Sequence, residues 1–410
     1  MRRLRFTEAT GRNHTVSNNS RNWDQITVET LASWFGLKEG HRDFFIANDD
    51  HARLLFARQE LNGQLQAILR KSFRTGHPPK FVLYGDWGVG KTHTLHHIAA
   101  TVEDTPGYKA RIVFADVPDI NAKDTFQVVH AAFLDALGLD TVKQWMVHFQ
   151  TKYQSGAKSM IQRATQSEDV AKAFLSTTGY GDPARISWDW LRGETLSATD
   201  ARNAGLPSSL DQSNQFAAVL RVLGKVCEDV EGSCLILMLD EAEKLESVTN
   251  GDAINHWLNS FRILSDDSTK EIGLIIAASF RNKDAMPPML ADKQITSRFG
   301  ERHYIQLQTF DVQDTRIFVG GLLSEWVDGV ERSKISEQYG PEAEGEEVTS
   351  ESFPFTVDAL DRFVEYATRD GGYSTARDIQ KSLDDIVNRA IDDNRHLISM
   401  DYFNAVMASA

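Results

Sequence analysis

The sequence predicts an α/β protein, with a parallel sheet sandwiched by helices, a helical insertion in that core and a helical C-terminal domain. Short apolar runs of strand length recur at Lys80–Tyr84, Ala110–Val117, Cys234–Leu239, Ile272–Ala278 and His303–Leu307. Helical patterns separate them, and apolar strands alternating with helices form a parallel sheet buried on both faces. From Asp314 onward every periodic stretch is helical: Thr315–Trp326, Thr356–Thr368, Ala376–Asp392 and Tyr402–Ser409. Between Asp140 and about Leu210 there are helical stretches without a strand, over a length too great for a structureless connection.

In chain order, residues 1–50 read as an extension, partly disordered, whose first twenty residues are polar and which carries a helix at about Thr27–Phe35. A helix at Ala52–Arg70 places Leu54, Leu55, Leu61, Leu65, Ile68 and Leu69 on one face. Pro78–Pro79 stops it, because proline lacks the N–H that a helix needs. The first strand follows, then a glycine-rich turn and a helix from Lys91 to about Val102. Phe126–Leu137 is helical through Phe126, Val129, Phe133 and Leu137. The insertion, about 141–212, contains Trp145, Trp188 and Trp190. Helices at Gln215–Cys227 and Ala253–Leu264 complete a core of residues 51–310, and 311–410 form a helical lid. No internal repeat at a fixed period is present.

Composition sets the outer limits. A chain of 410 residues with 41% hydrophobic and 25% charged residues is ordinary for a globular protein of two or three domains. No run of eighteen apolar residues predicts a membrane span, and the basic start lacks the apolar stretch of a signal peptide, so a cytoplasmic address is expected. Cys227 and Cys234 sit among apolar neighbours and read as reduced, structural residues. The histidines show no metal-ligand spacing. The formal charge of −14 argues against a basic coat for nucleic acid, but one local patch on an acidic molecule still binds phosphate. Arg2, Arg3, Arg5 and Arg12, and the segment Lys71–Arg74, are the candidates. Glu331–Glu351 carries seven glutamates against one lysine and one arginine and reads as an exposed acidic loop.

The chemistry begins at Gly85–Asp86–Trp87–Gly88–Val89–Gly90–Lys91–Thr92, a complete P-loop pattern followed by His93, lying between a strand and a helix. Glycines let successive N–H groups turn toward phosphate oxygens where a Cβ would crowd them. Lys91 brings a cation to the β/γ-phosphates, Thr92 Oγ1 is a Mg²⁺ ligand, and the new helix adds the field of its N-terminus. ATP and Mg²⁺ are the expected cofactors. The strand Leu235–Leu239 runs into Asp240–Glu241. Two carboxylates at the end of an apolar strand are odd as core; beside a P-loop, Asp240 holds Mg²⁺ and Glu241 polarises the attacking water. The fourth strand ends at Ser279 with Asn282 close behind, and either side chain suits contact with the γ-phosphate or the water.

From these motifs the chain resembles the AAA+ superfamily, most closely the branch of origin-recognition and Cdc6-like initiator ATPases, from about Arg53 to Ala390. The resemblance adds Gly76–His77–Pro78–Pro79 before the strand and Asp240–Glu241–Ala242–Glu243–Lys244–Leu245 as the acidic motif. It also adds Ser297–Arg298–Phe299 as an arginine-finger segment and Gly371–Gly372–Tyr373–Ser374–Thr375–Ala376–Arg377–Asp378–Ile379 as the sensor-2 segment. It implies that Arg298, with Arg302 as a rival, projects into a neighbouring subunit's site, and that Arg377 reaches the same subunit's ATP from the lid. Asp116 is a candidate restraint on Glu241.

Trp188, Leu191–Arg192–Gly193–Glu194 and Ala204–Gly205–Leu206 resemble a segment of the ATP-binding proteins of BREX-like phage-exclusion systems. Transposition-regulator ATPases are further relatives. The initiator pattern is not followed to its end: the residues Asn394–Ala410 are too few for the winged helix that grips duplex DNA. The resemblance implies an oligomeric ATPase, a ring or filament that assembles with ATP, acting on DNA or DNA-bound proteins in anti-phage defence or mobile-element biology. Partner proteins are expected and a membrane is not. A signalling scaffold that recruits an effector, or a protein-remodelling ATPase, are the alternatives.

Overall fold

Near-continuous apolar runs are buried on both sides when they pair in a parallel sheet, and the chain does this five times. The computed structural model describes Phe35 and residues 51–410, apart from 211–212, 267, 283–284, 300–302, 327–328, 330–332, 335–336, 339, 341–344, 350, 369–373 and 410. The strands are β1 (Lys80–Gly85), β2 (Ala110–Asp116), β3 (Cys234–Asp240), β4 (Ile272–Ser279) and β5 (Tyr304–Leu307). They lie in the order β2-β3-β4-β1-β5, with every pairing parallel. The register sets Gly85 beside Ser279 and Asp116 beside Asp240. The C-terminal ends therefore form one edge, where open parallel sheets accept ligands.

Helices α1 (Gln59–Thr75), α2 (Lys91–Asp104) and α3 (Gln127–Leu137) belong to the layers around the sheet. The first differs from its expected bounds of Ala52–Arg70. Leu61, Leu65 and Leu69 are buried at a spacing of four, but Leu54 and Leu55 lie in a non-helical segment before it. The helix closes at Gly76, whose left-handed φ of 67° lets its N–H return to Ser72 O.

The insertion folds as α4 (Leu139–Tyr153), α5 (Gly156–Thr165), α6 (Glu168–Ser176), α7 (Asp182–Leu191) and α8 (Ala198–Ala204), returning to the sheet through α9 (Ser213–Glu231). It shares the main core: Trp145, Phe174 and Trp190 are buried in one cluster with Val113, Phe133 and Leu237. Trp145 Nε1 donates to Glu231 Oε1 at 2.6 Å, and Gln127 Nε2 donates to Gly193 O. His130 Nε2 lies 2.7 Å from Leu191 O, and complete burial keeps the imidazole neutral by pushing its pKa down to about 4. The tryptophans thus anchor the insertion to the sheet layer.

After β3 the chain forms a 3₁₀ turn (Ala242–Ser247), then α10 (Gly251–Ser265), capped by Asn250, whose side chain accepts from Asp252 N and Ala253 N. Two short helices, α11 (Pro288–Ala291) and α12 (Lys293–Phe299), lie between β4 and β5. No apolar period marks them in the sequence, since four and seven residues are too short for one to show. The last helices are α13 (Val312–Trp326), α14 (Val357–Ala367), α15 (Ala376–Asp392) and α16 (Met400–Ser409). Thr356 and Thr375 cap two of them. Their apolar faces make a second core with Phe310, Phe363, Leu383 and Phe403, and Phe35 from the N-terminal region is buried in it.

The rest of the helix expected at Thr27–Phe35, the N-terminal arginines, Arg302, Gly371–Tyr373 and much of Glu331–Glu351 lie outside the described residues. Among the described residues no helix is long and apolar enough to cross a membrane, and no group of His, Cys, Asp and Glu forms a metal cluster.

Candidate nucleotide-binding site

The turn after β1 has to reverse the chain over the sheet edge, and its glycines take conformations that other residues avoid. Gly88 has φ 79° and Gly90 φ 99°. A Cβ on Gly88 would lie 2.8 Å from Thr375 Oγ1 and 3.1 Å from Arg377 Cβ, so the lid rests directly on the loop. Arg377 N donates to Gly88 O at 3.2 Å, and its guanidinium stacks 4.5 Å from the Trp87 ring, which is itself 69% exposed. Asp86 accepts from Trp87 N and pairs with Arg281 at 3.1 Å, which holds the outer side of the loop.

Lys91 is 7% exposed, and its ammonium donates to Asp86 O at 2.9 Å and Gly85 O at 3.3 Å. Burial lowers its pKa, opposed by the carboxylates of Glu243, Asp240 and Asp86. Thr92, the second residue of α2, donates from Oγ1 to Asp240 Oδ2 at 2.6 Å. Asp240 is buried at the end of β3; burial raises its pKa, while the bonds from Thr92 and from the Glu241 N–H act against that rise. A hydroxyl and a buried carboxylate in contact are a hard oxygen donor pair that fits Mg²⁺. A loop turned by left-handed glycines beside a buried lysine at a helix start fits a polyphosphate.

Glu241 has a left-handed backbone, φ 56° and ψ 32°, which turns its side chain away from the strand direction. Its carboxylate accepts from Lys244 Nζ at 2.7 Å. Asp116, the restraint expected on Glu241, stands beside Asp240 in the β-ladder, and the ion pair on the Glu241 carboxylate comes from Lys244. The two carboxylates Glu241 and Asp119 raise the pKa of this lysine, the bond to Glu241 contributing most. Glu243 accepts from Ser279 N at 2.7 Å, tying the end of β4 to the acidic turn.

These groups line one cavity of about 460 Å³. Gly88–Thr92 with Trp87, His93, Asp240, Glu241, Ser279 and Arg377 all border it. Gly85 and Asp86 do not line it but supply the carbonyls that hold Lys91. Of the two residues left open after β4, Ser279 is at the cavity wall, while Asn282 Oδ1 accepts from Ala285 N in a turn. Arg298 is not in this wall. It lies on α12, donates to Gln294 O at 2.6 Å and stands 3.7 Å from Asp266 Oδ2.

Several wall residues carry no sequence motif. The segment before α1 contributes His51, Leu54 and Arg58, and the lid contributes Phe318, Leu322 and Gln380. Arg58 donates to Val89 O at 3.1 Å and stacks 4.1 Å from the Phe310 ring. Burial lowers its pKa to about 10, with Asp314 acting against the shift, so it stays cationic at neutral pH. Its signal in the sequence is an arginine directly after the apolar run Leu54–Ala57, masked by a helix expected to start at Ala52. His93 sits at the same end, its Nε2 close to Leu54 O, and burial lowers its pKa.

Residues 168–281 match the family model for the BREX system ATP-binding protein BrxC/D, a span running from α6 to just beyond β4. The match includes the Trp188–Glu194 segment that carries the BREX resemblance. No curated protein matches the chain. Among solved structures, the Aeropyrum pernix ORC2 protein in its ADPNP–ADP complexes is similar at 16% identity and TM-score 0.50, over 90% of this chain and 71% of that one. The Aeropyrum pernix ORC1 protein in complex with DNA gives 14% identity and TM-score 0.43, over 88% of this chain and 67% of that one. Drosophila ORC bound to DNA gives 10% identity and TM-score 0.44, over 98% and 70%. At such identities the likeness is one of fold. The chain thus shares its α/β P-loop fold with the Aeropyrum pernix ORC2 protein and resembles, across residues 168–281, the BREX system ATP-binding protein BrxC/D.

Proposed function

We propose that this protein is an ATP-hydrolysing AAA+ switch or motor that assembles with ATP and acts on DNA or on DNA-bound proteins in prokaryotic anti-phage defence. The observation that carries the reading is the convergence of Lys91, Thr92, Asp240, Glu241 and Ser279 on one cavity wall. Lys91 exchanges the carbonyls of Gly85 and Asp86 for phosphate oxygens. Thr92 and Asp240 hold Mg²⁺, which when bound offsets charge on the phosphates. Glu241 polarises the attacking water, Ser279 contacts the γ-phosphate side and Arg377 reports the γ-phosphate from the lid. Arg298 is assigned to a neighbouring subunit, and its place outside its own cavity supports that assignment. The defence role rests on the BREX match, and exposed Lys71 and Arg74 on α1 supply one cationic surface for DNA.

Light scattering with and without duplex DNA and a non-hydrolysable ATP analogue tests the assembly. A ring or filament forms only with the triphosphate, and Arg298→Ala keeps ATP binding while losing turnover. A monomer under every condition would remove both the assembly and the trans role of Arg298.

A further inference from the structure

The loop that follows β2 is stitched to the acidic turn at several points. Val117 N donates to Asp240 O at 2.9 Å. Thr249 N and Asn250 N both donate to Ala122 O, and Trp257 Nε1 donates to Asp124 O at 2.9 Å. Lys244 crosses between the two segments. Its Nζ donates to Val117 O at 3.0 Å, pairs with Asp119 at 3.2 Å and pairs with Glu241 at 2.7 Å. One ammonium has three donors, so these three acceptors use its full capacity. Asp119 is completely exposed at its side chain, whereas Glu241 is half exposed and Lys244 one third.

We infer that Lys244 is a positioning residue that restrains Glu241 and links it to the loop of residues 117–124. The inference rests on Glu241 being the water-polarising group. The pair occupies Oε2 of Glu241 at the cavity wall and limits the freedom of that carboxylate to meet an attacking water. The lysine divides its charge between two carboxylates, one at the chemistry and one in solvent. Weakening the outer pair strengthens the inner one, and freeing the lysine from Glu241 releases the carboxylate for hydrolysis. The loop after β2 thereby sets the basal turnover, and any contact that moves it acts on Glu241 through a single side chain.

Steady-state ATPase measurements on the full chain test this with variants of opposite expected sign. Lys244→Ala raises basal kcat about two- to fivefold, the equivalent of one partly exposed ion pair, with KM for ATP unchanged. Lys244→Arg keeps the pair and stays near wild type. Asp119→Asn, a change at a solvent-facing side chain that leaves the fold intact, commits Lys244 to Glu241 and lowers kcat. Equal kcat in wild type and Asp119→Asn, or a Lys244→Ala variant no faster than wild type, overturns the inference. Glu241→Gln separates it from the reading beneath: full activity there removes the role of Glu241 itself, whereas an inactive Glu241→Gln with an unaltered Lys244→Ala removes the restraint alone.

Discussion

The two ends of the cavity are built in different ways. The phosphate end comes from one continuous loop and from the C-terminal ends of β3 and β4, all on the edge of a rigid sheet. The other end draws on a segment before α1, on Phe310 just beyond β5, on side chains of α13 and on Gln380 of α15, whose Arg377 reaches back to the loop at the phosphate end. It exists only when the lid is packed on the core. Reaction chemistry tolerates little displacement, and the residues we propose for it lie on the rigid half. Recognition of the rest of a nucleotide sits where lid packing decides its shape. Changes at the first end are thus expected to alter turnover or to separate ATP from ADP, and changes at the second to alter affinity for ATP and ADP alike.

Glu241→Gln tests the first end with the largest effect. Loss of a general base lowers kcat by about 10²–10⁴, while ATP binding, measured by calorimetry, stays within a few-fold of wild type. Lys91→Ala comes next. Removing charge-assisted hydrogen bonds of about 1.5–3 kcal/mol each weakens ATP binding about 10- to 100-fold, and ADP binding less if Lys91 reaches the γ-phosphate. Arg58→Ala has the smallest effect and addresses the other end. It removes one hydrogen bond to Val89 O and the stack on Phe310, together about 1 kcal/mol, so ATP and ADP affinities fall together by about fivefold. A fall in kcat with unchanged affinity in Arg58→Ala would erase the division between the two ends.

What was legible in the sequence follows the same division. The strands lie within two residues of their expected ends because an apolar run stops where the sheet stops. The P-loop was readable because its geometry is local. Arg58 was not, because its role depends on Val89 and Phe310, 31 positions away by the hydrogen bond and farther by the stack. The restraint on Glu241 was looked for at Asp116, the neighbouring strand end, but an i,i+3 pair within the acidic turn supplies it. That pair depends on the tight 3₁₀ geometry of Ala242–Ser247, which the residues after Asp240 do not announce as a pattern. The short helices α11 and α12 leave no period for want of length, and the Arg298 assignment rests on the resemblance of Ser297–Arg298–Phe299 and mainly on motif order.

Phe35 has a consequence for how this chain can be cut. Its side chain is 0% exposed within the lid core, beside a chain of aromatic residues that reaches the cavity through Phe310 and Phe318. A residue from a stretch that reads as a partly disordered extension is therefore an internal plug of the C-terminal helical core. Trimming the protein at residue 50 to obtain a tidier ATPase is not the removal of an appendage; it opens a hole in the hydrophobic interior on which the nucleotide's outer wall depends.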